Sequence, residues 1–369
     1  RRALHAAGGL ARGVADAGGP LSSIMSATLI AQLVVIGFTF FMLLNSAAVL
    51  VLMERKVAAF IQQRLGPYRV GPWGAMQPLA DIIKLMMKEE LRPKSADTFL
   101  FYLAPILCAT AAFAAFAVVP FGADTTFFGL LDEPVKLMAA DVNVGLLVIF
   151  AITSMGVYGI VLAGWASNSK YSLLGGLRSS AQMISYELSY GLSLAAVIML
   201  AGTLSLREVV DAQAGYWHLF GVLPIPKWYV FLQPLGFFIF MTAGVAETNR
   251  APFDFPEAEQ ELVAGYHTEY SSMTFALFFM AEYINMVTVS AVAVNLFLGG
   301  WHGPFLPEYL GWMWFLLKVF ALLFFYIWMR WTLPRYRYDH LMEFGWKWLL
   351  PAATLNLLVT AGVVIWMGW

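Results

Sequence analysis

Long apolar runs separated by short polar segments dominate the chain. Eight runs have about the length that a helix needs to cross a bilayer, roughly 20 residues. They lie at about 24–53, 98–120, 142–164, 179–201, 228–246, 272–298, 309–330 and 347–367, and the fifth is the shortest. Because helices satisfy their own backbone hydrogen bonds in lipid, the pattern predicts an all-α integral membrane protein, a bundle of about eight transmembrane helices.

The composition agrees with one membrane domain. Hydrophobic residues make up 60% of the chain and charged residues 12%, about half the charged fraction of an average soluble domain. We therefore predict a single transmembrane helical domain over residues 24–369. Residues 1–23 are rich in Ala, Gly and Arg and are predicted to form a flexible tail, with a targeting segment as the alternative.

Basic residues mark one side of the predicted bundle. The loops after the first, third and seventh runs carry most of them, at Arg55, Lys56, Arg64, Arg69, Lys84, Lys88, Arg92, Lys94, Lys170, Arg178, Arg330, Arg335, Arg337 and Lys347. The opposite loops carry only Lys136, Arg207 and Lys227. Because basic loops stay on the cytoplasmic (or matrix) side, we predict that both termini lie outside.

The first inner loop is predicted to contain a helix of its own. In segment 77–88, Asp81, Lys84 and Lys88 share one helical face, and apolar residues occupy much of the remainder. This pattern is typical of an amphipathic helix at a membrane surface. Two interpretations stay open: a membrane anchor, or a helix that closes a site against a soluble partner.

The segment between the fifth and sixth runs, 246–270, is unusually acidic. A single arginine, Arg250, stands among six carboxylates, which are Glu247, Asp254, Glu257, Glu259, Glu261 and Glu269. Crowded carboxylates in a low-dielectric site cannot all stay ionised, and the arginine among them favours internal pairing. Pro252 and Pro256 disfavour a continuous helix. We predict an ordered acid-rich loop on the inner side, with a solvated acidic loop as the alternative.

Ionisable side chains also occur inside the apolar runs, where they are costly in lipid and are candidates for function. Glu187 lies in the fourth run, Glu282 in the sixth and Lys318 in the seventh. We interpret the two glutamates as functional. Lys318 is explained equally well as a side chain that reaches towards the membrane surface.

The sequence argues against a redox centre held by this chain alone. Its one cysteine, Cys108, falls short of the roughly four ligands that an iron–sulfur cluster needs. The five histidines include no pair within one run that would hold a haem, and no glycine-rich nucleotide loop is present. We predict no catalytic residue, metal, FMN, haem or iron–sulfur cluster in this chain.

Several segments resemble a known family, in the family's order. The stretch 247–254, Glu-Thr-Asn-Arg-Ala-Pro-Phe-Asp, together with the acids at 257, 259 and 261, is similar to the signature of the H subunit of NADH:quinone oxidoreductase (respiratory complex I), the counterpart of mitochondrial NADH dehydrogenase subunit 1. Further matches lie at 53–56, 64–67, 80–84, 164–171, 177–182, 185–187, 281–283 and 334–339. Pro256 and His267 depart from the family pattern.

The resemblance implies a membrane subunit of a proton-pumping translocase, in the bacterial plasma (inner) membrane or the mitochondrial inner membrane. Its substrate would be a quinone, either ubiquinone or menaquinone. Its partners would be the hydrophilic-arm subunits that carry the terminal iron–sulfur cluster and the quinone head-group site. Small membrane subunits, antiporter-like subunits and the lipid bilayer would complete its surroundings, with no nucleic acid.

The resemblance also implies two sets of site residues. The quinone chamber and its mouth would involve Arg55, Arg64, Asp81, Lys84, Glu247, Arg250 and Asp254. The acids that couple quinone reduction to proton movement would be Glu187, Glu257, Glu259, Glu261, Glu269 and Glu282.

Two other functions stay open. The first is the homologous subunit of a membrane-bound hydrogenase or of another donor's dehydrogenase, which the neighbouring subunits would distinguish. The second is a stand-alone ion transporter. Transporters often contain inverted repeats, and no repeat is visible in this sequence.

Overall fold

The computed structural model describes residues 19–126, 134–219, 223–254, 264–303 and 310–367, so most of the predicted N-terminal tail lies outside the described residues. The helices, in chain order, are α1 (Gly19–Ile61), α2 (Gln77–Met87), α3 (Thr98–Phe116), α4 (Gly145–Ala166), α5 (Lys170–Ala201), α6 (Leu206–Ala212), α7 (Tyr229–Leu232), α8 (Pro234–Glu247), α9 (Ser272–Phe297), α10 (Gly311–Thr332), α11 (Tyr338–Phe344) and α12 (Leu350–Met367). Two strands, β1 (Tyr216–Leu219) and β2 (Leu223–Pro226), pair between α6 and α7, and 3₁₀ turns form at Pro72–Gly74 and Gly265–His267.

Seven helical segments among the described residues are long and apolar enough to cross a membrane. They are α1, α3, α4, α5, α9, α10 and the segment that runs from α11 into α12. The fifth predicted run is divided between α7, a single turn, and α8, which has 14 residues and is therefore about 21 Å long. The prediction of an all-α integral membrane protein is confirmed, and the fifth run forms a broken helix.

The break between α7 and α8 falls at Gln233, which is buried. Its side-chain nitrogen donates a hydrogen bond to Thr360 Oγ1 at 2.6 Å, and its side-chain oxygen accepts one from Asn356 Nδ2 at 2.8 Å. Both partners belong to α12. Since polar side chains in lipid hold helices together through such bonds, the broken helix is fastened to the last helix of the chain.

Helix α9 is the centre of the bundle. It packs against α1, α3, α8 and α10, and its whole second half, from Met286 to Phe297, is buried. Small residues let backbones approach closely: a Cβ added at Gly244 on α8 would lie 2.7 Å from Val289 on α9. Close packing at small residues is the usual way in which helices associate in membranes.

Lys318 on α10 has a structural explanation in this fold. Its ammonium group donates hydrogen bonds to the carbonyl oxygens of Leu298 (2.6 Å), Gly300 (2.9 Å) and His302 (2.7 Å). It also lies 4.4 Å from the ring centroid of Trp228. These carbonyls follow the C-terminal end of α9, where a positive charge is favourable. Lys318 therefore fastens α10 to the end of α9.

Candidate functional site

The acid-rich segment begins as an ordered turn against α5. Gln182 on α5 is buried, and its side-chain nitrogen donates to the carbonyl oxygens of Ala246 and Phe253, both at 2.8 Å. Asn249 adopts a positive φ of 51°, and the Ala251–Pro252 peptide bond is cis. The two hydrogen bonds from Gln182 hold residues 246–254 against α5. The side chain of Arg250, which lies in this stretch, is buried in the bundle.

Arg250 forms the internal ion pair that its position among acids predicts. It is 3% exposed, and its Nη2 lies 3.4 Å from Oε2 of Glu282 on α9. Its guanidinium group also lies 4.3 Å from the ring centroid of Tyr283. The other oxygen of Glu282, Oε1, accepts a hydrogen bond of 3.0 Å from the Tyr266 hydroxyl. The arginine and Glu282, which come from segments predicted separately, therefore meet in one largely buried cluster.

A further buried carboxylate, Glu54, was missed by the sequence prediction. Tyr283 donates a hydrogen bond of 2.6 Å to Glu54 Oε2, and Arg330 on α10 forms an ion pair with Glu54 Oε1. The predicted first run ends at residue 53, but α1 continues to Ile61 and carries Glu54 into the bundle. The charged pattern 53–56 contains the signal, but hydrophobicity alone assigns these residues to the start of a loop.

Two small cavities lie beside these charges. The first is lined by Glu247, Glu282 and Asn285, among others, and the second by Glu247, Asn285 and Thr288. They offer about 30 and 20 Å³ to the centres of water molecules, where one water needs about 10–15 Å³. Each cavity can hold one or two waters, and the two share Glu247 and Asn285 as a common wall.

Glu187 is a third carboxylate in this region, and it lies nearer the outside of the bundle than Glu247 and Glu282. Its carboxylate accepts a hydrogen bond from Ser154 on α4, and it lies close enough to Glu247 for their charges to interact. The side chain is half-buried on α5. Glu247 thus lines the first cavity together with Glu282 and lies within the electrostatic range of Glu187, and the three carboxylates come from three different helices.

A separate polar group lies on the loop between α1 and α3, which carries α2. Arg55 Nη1 is 2.7 Å from Asp81 Oδ2, and Lys84 is 4.0 Å from the other oxygen of the same carboxylate. The apolar side chains of α2, which include Ile82 and Met86, are exposed. Arg64 stands apart from this group, since its Nε donates to Gln62 at 2.6 Å and the side chain is exposed.

The remaining predicted site residues, Asp254 and Glu269 among the described part of the chain, lie in different environments. Asp254 is buried and pairs with Arg335 at 3.2 Å. Glu269 is half-buried and, among the described residues, is not part of either cavity wall. Its neighbour Tyr270 stacks on Phe101 with centroids 4.1 Å apart, and burial raises the pKa of its hydroxyl well above the usual range, so that it stays protonated. The acids at 257, 259 and 261 lie outside the described residues.

The chemistry of the site follows from the groups that it brings together. Carboxylates, hydroxyls and water are groups that bind protons and pass them on, and all three can meet at the cavities beside Glu247 and Glu282. The described residues contain no group of three or more His, Cys, Asp or Glu side chains that could hold a metal ion. Because carboxylates and hydroxyls line cavities large enough for water, the arrangement is suited to moving protons between neighbouring side chains.

Comparison with known proteins identifies relatives over most of the chain. Residues 33–361 match the family model described as NADH dehydrogenase. The NADH-quinone oxidoreductase H subunit 1 of Geobacter metallireducens is 54% identical over 330 residues, which cover 89% of this chain and 95% of the relative. The H subunit 2 of Geobacter sulfurreducens is 53% identical, with 90% and 96% covered.

A third relative, the NADH-quinone oxidoreductase H subunit of Syntrophotalea carbinolica, is 50% identical over 341 residues, with 92% of this chain and 98% of the relative covered. The matched range of the family model includes every helix from α2 to α11 and the buried charges described above. The chain therefore belongs to the NADH dehydrogenase family, among the H subunits of NADH-quinone oxidoreductase.

Proposed function

We propose that this chain forms much of the quinone-binding chamber of a proton-pumping NADH:quinone oxidoreductase and couples quinone reduction to proton translocation. The observation that carries the proposal is the row of Glu282, Glu247 and Glu187 inside the bundle, with its two water-sized cavities. An ionised side chain inside a membrane bundle is costly and usually marks a path for protons or ions. Three carboxylates in series with space for water meet that description.

The inner loop supplies the proposed quinone chamber. A quinone has an apolar tail and a polar head, and α2 offers an exposed apolar face next to the charged group of Arg55, Asp81 and Lys84. This combination fits the mouth of a chamber that lies between the bilayer and a soluble partner. Arg64, Glu247, Arg250 and Asp254 are proposed to continue the chamber towards the acid-rich loop.

The acid-rich loop is the proposed link between chamber and membrane. Arg250 contacts Glu282. The acids at 257, 259 and 261 follow Arg250 in the same loop. A change of charge in the chamber would therefore alter the field at Glu282 through one ion pair. Glu269 is proposed to belong to the same set of acids. In this proposal electrons never enter the chain, so its role is electrostatic and conformational.

The proposed partners follow from the locations of the quinone chamber and of the coupling acids. The hydrophilic-arm subunits would supply the terminal iron–sulfur cluster and the quinone head-group site against the inner loops. Small membrane subunits and antiporter-like subunits would cover the half-buried Glu187 on the outside of the bundle. The quinone, ubiquinone or menaquinone, is a substrate, and the location is the bacterial inner membrane.

Replacing Asp81 with asparagine tests the chamber. The change removes the charge that holds Arg55, an interaction of about 1 kcal/mol at this degree of exposure, so the KM for quinone should rise about fivefold with a smaller change in kcat. The measurement is NADH:quinone reduction by the complex purified through a tag on this chain. Asp141→Asn is the matched control, because Asp141 pairs with Lys136 in a loop predicted to lie on the opposite side.

If Asp81→Asn and Asp141→Asn both leave the KM at its original value, α2 does not line the chamber. Recovery of the tagged chain without any iron–sulfur subunit in mild detergent would argue against the whole proposal.

The sidedness of the loops gives a second expected result. Arg64 and Glu257 should both be reached from the inner side, and Trp369 from the outer side, because basic residues concentrate in the inner loops. An impermeant thiol reagent applied to sealed vesicles carrying single-cysteine variants measures this. Labelling of position 257 from the outer side would contradict the proposed topology.

A further inference from the structure

Tyr266 brings the inner segment into direct contact with a proposed coupling acid. It lies on the 3₁₀ turn Gly265–His267, near the end of the acid-rich segment, and is 1% exposed. Its hydroxyl donates to Glu282 Oε1 at 3.0 Å, and its ring packs edge-on against Phe278, one turn earlier on α9. Arg250 holds the other oxygen of the same carboxylate. Glu282 is thus held by two groups that both come from the loop between α8 and α9.

The turn that carries Tyr266 packs closely against α5, where Gly175 of α5 meets Gly265 of the turn. A Cβ added at Gly175 would lie 2.7 Å from the Cα and carbonyl carbon of Gly265 and 2.8 Å from the backbone nitrogen of Tyr266. Gly265 itself has a φ of 61°, a conformation that other residues rarely adopt. Because the atoms in contact belong to the backbone, any side chain at 175 would have to displace the whole turn.

We propose that Tyr266 is a positioning residue for Glu282, and that the contact of Gly175 with Gly265 sets the distance between the hydroxyl and the carboxylate. The inference rests on the proposed function, in which Glu282 exchanges protons. When the acid-rich segment moves relative to α5, the turn at Gly265–His267 moves with it. The Glu282 carboxylate then loses or gains the hydrogen bond from the Tyr266 hydroxyl. A displacement of the loop becomes a change in the hydrogen bonding of one acid inside the bundle.

The same geometry suggests why the contact is made through glycines. A side chain at Gly175 would separate the turn from α5, and one at Gly265 would be strained at its positive φ. Tyr266 also lines the cavity beside Glu282 and Glu247, so a displaced turn would change the shape of that cavity. The pair of glycines therefore keeps the hydroxyl in place beside Glu282.

Three variants of the complete complex test the proposal. Tyr266→Phe removes only the hydroxyl, and Gly175→Ala displaces the turn. Gly176→Ala is the matched control, since its added Cβ would meet the Ile160 carbonyl oxygen on α4 at 3.2 Å and not the turn. The main readout is the infrared difference spectrum between the oxidised and reduced complex, in which the Glu282 carboxyl band is identified by its loss in Glu282→Gln.

We expect the Glu282 band to move in Tyr266→Phe and in Gly175→Ala and to stay in place in Gly176→Ala. Coupled quinone reduction should fall about tenfold or more in the first two variants, the range expected when a hydrogen bond to a charged carboxylate is lost. The KM for quinone should change less than the rate, because neither substitution alters the group of Arg55, Asp81 and Lys84 at the proposed chamber mouth. A residue with a merely structural role would not move the carboxyl band.

An unmoved band in assembled Tyr266→Phe overturns the inference, and so does a spectrum with no band that depends on Glu282. If Gly175→Ala does not assemble, Tyr266→Phe decides alone. The proposed function fails separately: Glu282→Gln with normal pumping would remove Glu282 from proton coupling. Impaired Glu282→Gln together with unchanged Tyr266→Phe would remove only the positioning role.

Discussion

Arg250→Ala is expected to abolish quinone reduction, or assembly, while electron transfer within the hydrophilic arm survives. The change leaves Glu282 inside the bundle without its ion-pair partner, and breaking a buried pair costs about 3–5 kcal/mol. It also removes the cation that stands among six carboxylates and that packs over Tyr283. Where the complex assembles, that energy corresponds to a loss of roughly a hundredfold or more in quinone reduction.

The measurement compares two activities of one preparation: NADH oxidation with an artificial acceptor, and NADH oxidation with quinone. Arg207→Ala is the matched control, because Arg207 forms an ion pair with Asp124 outside the buried cluster and its loss should leave both activities near normal. Arg250→Lys separates charge from shape, since lysine keeps the charge but lacks the planar guanidinium group. An assembled Arg250→Ala complex with normal quinone reduction would refute the role of the cluster.

Glu187→Gln is expected to lower proton-coupled turnover at least tenfold, because general acid–base groups commonly contribute about a hundredfold or more. Glutamine keeps the size of the side chain and can still bond to Ser154, but it cannot bind and release a proton. The variant is reconstituted in liposomes, and quinone reduction is measured together with proton uptake. Lost or uncoupled turnover in a fully assembled complex is the expected result.

The control for this variant lies on the same helix. Ser185 donates a hydrogen bond within α5, to the carbonyl oxygen of Ala181 at 2.6 Å, so Ser185→Ala should leave both rates near normal. Full turnover with full pumping in Glu187→Gln would make Glu187 a residue that merely holds α4 and α5 together. The row of acids would then end at Glu247.

The apolar runs were sufficient to predict the helices, because a bilayer imposes nearly the same length and composition on every crossing. The run at 228–246 shows the limit of that argument. Average hydrophobicity hides the break at Gln233, which depends on Asn356 and Thr360 of α12 far along the chain. A pattern within one segment carries no information about a partner more than 100 residues away.

The buried charges were predicted in part for a similar reason. Glu187 and Glu282 stand out because they interrupt apolar runs, and Arg250 stands out among acids. Glu54 does not, because it lies at the end of its run beside Arg55, where a charge is ordinary. Tyr266 was overlooked because tyrosine is common at buried positions, and only the fold brings its hydroxyl to Glu282.

Lys318 also bears on how the chain enters the membrane. A lysine within a helix that is inserted alone costs about 2.5–3.5 kcal/mol, yet this one is stabilised by three carbonyls that immediately follow α9. Those carbonyls are synthesised before α10, so they are already present when the lysine reaches the bilayer. The penalty is relieved only when the two helices lie side by side, which favours insertion of α9 and α10 together as one helical hairpin. Lys318 would thus favour the membrane insertion of α10 only when α9 already lies beside it.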